Sequence, residues 1–204
     1  MHPKAIKHLI HYFQRLPGVG PRQASRFTYS LLDEPRETVI AIAAALKALT
    51  EKTERCAMCF RARETTSPCQ SCNASETERR ILVVEKDQDA ETVEKSGMWR
   101  GTYHIIGGTI SPLREDTILT HRIRGLYERV ASLARAKKSV EIVMALSATA
   151  NGEATQAYIE KILEPFLTPK GQAKITRLGR GLSTGAEIEY ADPNTLSHAL
   201  KNRK

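Results

Sequence analysis

Four cysteines carry the clearest chemistry in the chain, Cys56-Ala-Met-Cys59 and Cys69-Gln-Ser-Cys72, and all of them fall within 17 residues. Two CxxC pairs separated by nine residues can place four thiolates at the corners of a small tetrahedron, the Cys₄ arrangement that a structural Zn²⁺ prefers. The closing loop from Phe60 to Pro68 is short and polar, and Pro68 can turn the chain into the second pair. Two disulfides or free thiols are the alternatives. A charge-rich chain with no signal peptide points to a reducing compartment, where disulfides are rare, and so favours zinc. Four thiolates fill the coordination sphere, so the site is expected to staple the chain over 55–75 and not to catalyse.

A second constellation is Leu16-Pro-Gly-Val-Gly-Pro-Arg22 between two helical patterns, which reads as a helix-hairpin-helix. Gly18 and Gly20 would admit backbone conformations closed to other residues. Backbone N–H groups beside a helix N-terminus favour phosphate, and Arg22 and Arg26 share one face of the following helix. No base edge is read in this mode, so DNA binding is expected to be independent of sequence. The bland alternative is a helix–helix turn with solvated arginines.

The third is Glu85, at the end of the apolar run Ile81-Leu-Val-Val84, with Asp87 and Asp89 just beyond. Ligands of open α/β sheets gather at the carboxyl ends of strands, and the three carboxylates could bind Mg²⁺. Acids that dress a helix N-terminus explain them equally. Ser147, Thr149 and Asn151 read as turn and capping residues for a helix after Gly152, and Glu153 as an acid in its first turn. His104 reads as a packed or surface residue, Trp99 as an exposed anchor, and Gly107-Gly108 as a strand end.

Elements must position these residues. Ile6, Leu9, Ile10 and Phe13 predict a first helix; Ala24, Phe27, Leu31 and Leu32 a second; residues 35–52 a third, apolar on more than one side and hence buried or an interface. Beyond a polar boundary at 75–80, strands are expected at 81–84, 103–106, 140–145 and 173–178, with a fifth around Ile188. Helices are expected at 87–96, 117–137, 153–167 and 194–201. This alternation implies a mostly parallel sheet covered on both faces. The overall reading is α/β with four regions: a helical helix-hairpin-helix over 1–54, a small Cys₄ zinc finger over 55–75, a parallel α/β sheet over 80–170 and a strand/helix tail over 171–204.

The net charge of +8 and pI near 9.4 favour a polyanion partner, nucleic acid above all, against a merely solvated basic surface. There is no stretch near the roughly 20 apolar residues that a membrane span needs, so a cytoplasmic, nucleoid-associated protein is expected.

Taken together, LPGVGPRQASRF (16–27), CAMC, CQSC, ILVVEKDQDAETVEKSG (81–97), GTYHIIGGTISPL (101–113), NGEATQAYIEKIL (151–163) and RGLSTGAEIEYADPNTLSHAL (180–200) resemble the bacterial RecR family of recombination mediators. The resemblance covers nearly the whole chain. It implies a Toprim-like sheet, a ring-like homo-oligomeric DNA clamp built through both chain ends, and no enzymatic activity. It implies work with RecO-like and RecF-like proteins to load RecA onto DNA coated by single-strand-binding protein. The family's DNA-contacting positions fall on Arg22 and Arg26, its zinc ligands on Cys56, Cys59, Cys69 and Cys72, and its Toprim acids on Glu85 and Glu153. Mg²⁺ is not expected, because the later strand end reads Ser147-Ala-Thr149 where Toprim enzymes carry an Asp-x-Asp pair. Two departures from the family stand out: Ser111-Pro-Leu113 runs directly into Arg114–Thr117, and Glu76–Arg80 lacks an Arg-Asp pair. The competing readings are a Mg²⁺-dependent Toprim enzyme on DNA, and a zinc-stapled scaffold that does not touch DNA.

Overall fold

A computed structural model describes residues 2–72, 79–111, 116–167 and 173–203. The chain divides into two compact units, ending and beginning at Thr53 and Glu54. The first unit is helical: α1 (Lys4–Phe13), α2 (Pro21–Asp33) and α3 (Arg36–Lys52). Phe13 of α1 meets Phe27 of α2 edge to face at 6.0 Å, and His2 Nδ1 lies 2.7 Å from the Tyr29 hydroxyl. Pro3 and Pro35 stand just ahead of α1 and α3, where their fixed φ suits a helix start. No residue of α3 is buried; Ile40, Ile42, Leu46 and Leu49 are all exposed. The buried reading of this apolar helix does not hold within the single chain.

After α3 comes a small two-stranded sheet, β1 (Thr53–Arg55) and β2 (Ala62–Glu64), that carries the first cysteine pair. The segment expected as a plain polar loop therefore contains a strand. Next come β3 (Arg80–Val84), α4 (Asp87–Ser96), β4 (Thr102–Ile105), α5 (Thr117–Arg135), β5 (Val140–Ala145), α6 (Ala150–Leu163), β6 (Ala173–Arg177) and α7 (Pro193–Lys201). The four long strands form one parallel sheet in the order β4-β3-β5-β6, with Ile81 opposite Thr102 on one side and Ile142 on the other.

Ile81-Leu-Val-Val84 is apolar throughout because both sheet faces are covered. Ile81 and Val83 point into a core with Leu119, Ile123, Leu126 and Val130 of α5 and Ile159 and Leu163 of α6. Leu82 and Val84 point the other way, to Ala90 of α4, Tyr103, Ile105, Val143 and Phe60.

Three expectations change. Ile188 lies in a 3₁₀ turn (Ile188–Tyr190) and not in a fifth strand. The helix expected from Glu153 starts at Ala150, with Thr149 Oγ1 accepting from the Gly152 N–H at 3.1 Å, so Asn151 and Gly152 lie inside it. Pro165 then turns its end into a 3₁₀ segment, Glu164–Phe166. Trp99 is half-buried: Arg80 stacks 4.8 Å from its ring and its indole N–H donates to the Thr102 carbonyl. The exposed neighbour is Met98. The expected boundary at 75–80 and the shortened segment after Leu113 fall largely on residues outside the described set.

Candidate nucleic-acid interface and metal centre

The turn between α1 and α2 separates the two glycines. Gly18 has φ +79°, the left-handed region that a side chain resists. Gly20 has φ −81° and ψ 172°, extended backbone open to any residue, so the expectation of a special conformation holds for Gly18 and fails for Gly20. What Gly20 contributes is the absence of a side chain at the helix start. α2 begins with no side-chain cap and with Pro21 in its first turn, which leaves the N–H groups of the next residues without intrahelical acceptors. Arg22 and Arg26 are exposed on this helix. A positive helix end and two guanidinium groups are what a phosphate backbone meets most readily.

The four cysteines converge. Their sulfurs lie within 4.8 Å of one another, with Cys56 Sγ–Cys72 Sγ at 3.9 Å and Cys59 Sγ–Cys69 Sγ at 3.5 Å. Zn–S bonds of about 2.3 Å give a tetrahedron with edges of about 3.8 Å, so the set fits a zinc ion. None of the four forms a disulfide. Burial raises the Cys56 thiol, but hydrogen bonds from the backbone of Cys59 and Met58 bring it down to about 7. The Cys59 thiol is pushed up by its hydrogen bond to Cys72 and by burial, and the Cys69 thiol by burial and the neighbouring Cys59. Crowded thiols that resist deprotonation are relieved by a divalent cation at their centre.

The chain after Cys59 ties this knuckle to the sheet. The Ile105 N–H at the open edge of β4 donates to the Cys59 carbonyl at 2.9 Å, which satisfies a strand edge that would otherwise be unpaired. Phe60 has φ +60°, a conformation that costs a bulky residue about 1–2 kcal/mol. Its buried ring meets His104 at 5.3 Å and His121 at 5.4 Å, with the Arg122 guanidinium 5.7 Å from its centre. Arg55 pairs with Asp87 at 2.5 Å and donates to the Phe60 carbonyl at 2.9 Å, while Arg61 pairs with Glu94 of α4. In the sequence Phe60 gives one signal only, an aromatic residue within a polar loop.

At the carboxyl end of the sheet, Glu85, Asp87 and Asp89 do not converge. Glu85 Oε1 accepts from the Ser147 N–H at 2.7 Å, Asp87 faces Arg55, and Asp89 accepts from the Lys86 N–H at 2.9 Å. In this arrangement Asp89 takes the helix-start role and the other two carboxylates tie segments together. Among the described residues, the four cysteines are the only cluster of three or more His, Cys, Asp or Glu side chains drawn this close. Glu153 pairs with Arg180 at 2.6 Å, a partner that the sequence did not assign. Its carboxyl is held below the usual range by the hydrogen bond and charge of that guanidinium. His104 is fully buried, as the packed reading requires. Its Nε2 lies 2.8 Å from the Arg122 carbonyl, and burial pushes the ring down to about 3.

Residues 79–179 match the family model of the Toprim domain, which sets the class: a Toprim-sheet protein with a helix-hairpin-helix and a metal-capable cysteine knuckle ahead of the sheet. On either side, residues 6–50 match the helix-hairpin-helix of RecR and residues 181–204 the RecR C-terminal region. The chain is 36% identical to Recombination protein RecR of Roseiflexus sp. (strain RS-1) over a 206-residue alignment covering 99% of this chain and 94% of that protein. It is 37% identical to the protein of the same name from Cyanothece sp., with 100% and 97% covered, and 35% identical to that of Bifidobacterium longum (strain NCC 2705), with 98% and 96% covered. The chain belongs to the RecR family.

Proposed function

We propose that this protein is a non-enzymatic mediator of recombination and DNA repair that grips the DNA backbone through Gly18, Gly20, Arg22 and Arg26. The observation that carries the reading is the pair of exposed arginines on a helix that starts without a cap, within a segment matching the RecR helix-hairpin-helix. In this reading Cys56, Cys59, Cys69 and Cys72 hold a structural Zn²⁺, which would supply cross-linking and no chemistry on a substrate. The region 1–54 binds DNA and oligomerises, 55–75 is the zinc finger, 80–170 the Toprim domain and 171–204 the C-terminal interface. The protein closes a ring-like clamp and acts in the cytoplasm, at the nucleoid, with RecO-like and RecF-like proteins to load RecA onto covered single strands. The exposed apolar side chains of α3, together with exposed Ile188, Tyr190 and Leu200 near the other chain end, support contacts between copies. Among the described residues no helix is long and apolar enough to cross a membrane. Glu85 and Glu153 act through backbone and arginine partners, or through a partner protein, and Mg²⁺ has no role.

The test is the salt dependence of DNA binding with light scattering in parallel. Arg22→Ala with Arg26→Ala should weaken binding alike on all DNA sequences and flatten the salt slope by about two phosphate contacts. An unchanged affinity and slope would remove this helix as the site. Mg²⁺-dependent DNA cleavage that disappears in Glu85→Ala would establish the enzyme reading instead.

A further inference from the structure

We infer that Phe60 is a strut through which metal occupancy of the four-cysteine knuckle sets the conformation of the carboxyl end of the Toprim sheet. This rests on the zinc reading given above and concerns what the rest of the chain does when the metal is present.

The covalent neighbour of Cys59 is a residue that would not choose its backbone conformation unaided. Phe60, at φ +60°, stays in the left-handed region because both sides of it are fixed. On one side a bound metal would hold Cys59, and the Cys56 carbonyl accepts the Phe60 N–H at 3.0 Å. On the other, the ring fills a socket between β4 and α5. Gly125 of α5 forms its floor: a Cβ there would stand 2.7 and 2.8 Å from two Phe60 ring carbons. His104 and His121 form its walls. A substitution at either face of this socket would change the fit of the ring.

From the strut the connection is continuous. The Cys59 carbonyl receives the Ile105 N–H at 2.9 Å. The next two residues donate inward across the sheet, Ile106 to the Val84 carbonyl at 3.0 Å and Gly107 to the Glu85 carbonyl at 2.8 Å. The Glu85 carboxylate in turn takes the Ser147 N–H at 2.7 Å. A short run of backbone bonds thus joins a cysteine ligand to the acidic residue at the carboxyl end of β3. If the knuckle loosens, Phe60 loses the restraint that keeps it left-handed, the socket opens, and the bonds at Ile105–Gly107 lose their outer support. The centre of the sheet, where Ile142 and Met144 pack between α5, α6 and β3, has no such dependence.

The experiment is hydrogen exchange on the full chain with and without zinc, with metal release followed by a chromogenic chelator. Zinc removal should speed exchange at Ile105, Ile106 and Gly107 by tenfold or more and change Ile142–Met144 by less than threefold. In Phe60→Ala the protein should still bind zinc, and exchange at 105–107 should be fast whether or not metal is present. Gly125→Ala, which crowds the ring without removing it, should give a weaker form of the same uncoupling and serves if Phe60→Ala does not fold. Zinc released with 105–107 unchanged, or exchange rising equally across the whole sheet, would overturn the strut. Retained coupling in either folded variant would also overturn it. A wild-type chain that binds no zinc would remove the metal reading itself and the strut with it, and the chelator signal separates that outcome from the others.

Discussion

Glu85 Oε1 and the backbone N–H of Ser147 meet at 2.7 Å, so the carboxylate at the end of β3 clasps the chain leaving the neighbouring strand β5. At the strand end where α/β sheets gather ligands, this carboxylate holds two strand ends together. Glu85→Ala removes the acceptor and should lower stability by about 1 kcal/mol, since Ser147 is exposed and water can replace part of the bond. Glu85→Gln keeps an oxygen acceptor and should recover most of the loss. Urea unfolding of the two variants checks this; equal losses would mean that charge, and not the clasp, matters.

Gly152 is the tightest glycine at this edge. A Cβ there would lie 2.0 Å from the Ser147 carbonyl oxygen, a backbone atom with little freedom to move. Gly152→Ala should therefore destabilise by about 1–3 kcal/mol, despite alanine's better helix propensity. The same unfolding experiment reads it, and a neutral result would show that the Ser147–Thr149 turn yields easily.

These two positions also show what a sequence can and cannot yield. The run 81–84 and the helix 87–96 are legible because a strand buried on both faces leaves no polar residue, and an acidic start with a closing glycine marks a helix. The cysteine cluster is legible because its spacing is the geometry. The start of α6 is not: Gly152 looks like a break, and only the approach of the Ser147 carbonyl explains a glycine inside the helix. Ile188 looks like a strand residue but has no partner strand among the described residues and forms a 3₁₀ turn. The sockets of Phe60 and Trp99 depend on residues distant in the chain, which no local pattern reports. Arg180 is 27 residues from Glu153, and its ion pair was equally hidden.

Burial of His104 makes stability depend on pH. Its folded pKa, near 3, lies below the unfolded value near 6.5, so the unfolded chain binds the extra proton first. The contribution is fully present above about pH 6.5 and is lost as pH falls toward 3, with a slope of up to about 1.4 kcal/mol per pH unit for one proton. His104→Gln removes this titration. Urea unfolding at pH 7, 5.5 and 4 should therefore show a shallower decline for the variant, by close to one proton, and parallel curves would mean that water already reaches the ring.

The two hairpin glycines should respond differently. Alanine at Gly18 must adopt φ +79°, which costs about 1 kcal/mol. Alanine at Gly20 meets no atom within 4 Å and takes an ordinary extended conformation, so it should be neutral within a few tenths of a kcal/mol. Thermal denaturation of the full chain followed by circular dichroism distinguishes them. If Gly20→Ala keeps its stability and still weakens DNA binding, the missing side chain at the start of α2 matters for contact with the phosphate and not for folding.

The pair Glu153–Arg180 anchors the C-terminal segment to α6, and the Arg180 carbonyl also accepts from Asn202 at 2.8 Å, which holds the end of α7. Because the arginine lowers the glutamate pKa, the tie is strongest above the usual carboxylate range and is lost as pH falls through the lowered value. Arg180→Ala should return the Glu153 carboxyl toward its ordinary titration, visible by NMR, and should speed limited proteolysis of the tail beyond residue 178 at neutral pH. It should also remove the acid-induced rise in proteolysis that the wild-type chain shows as Glu153 protonates. Salt should weaken the wild-type tie, since both groups are partly exposed. If the variant tail is cut no faster than the wild type at any pH, the ion pair is incidental to how the segment is held.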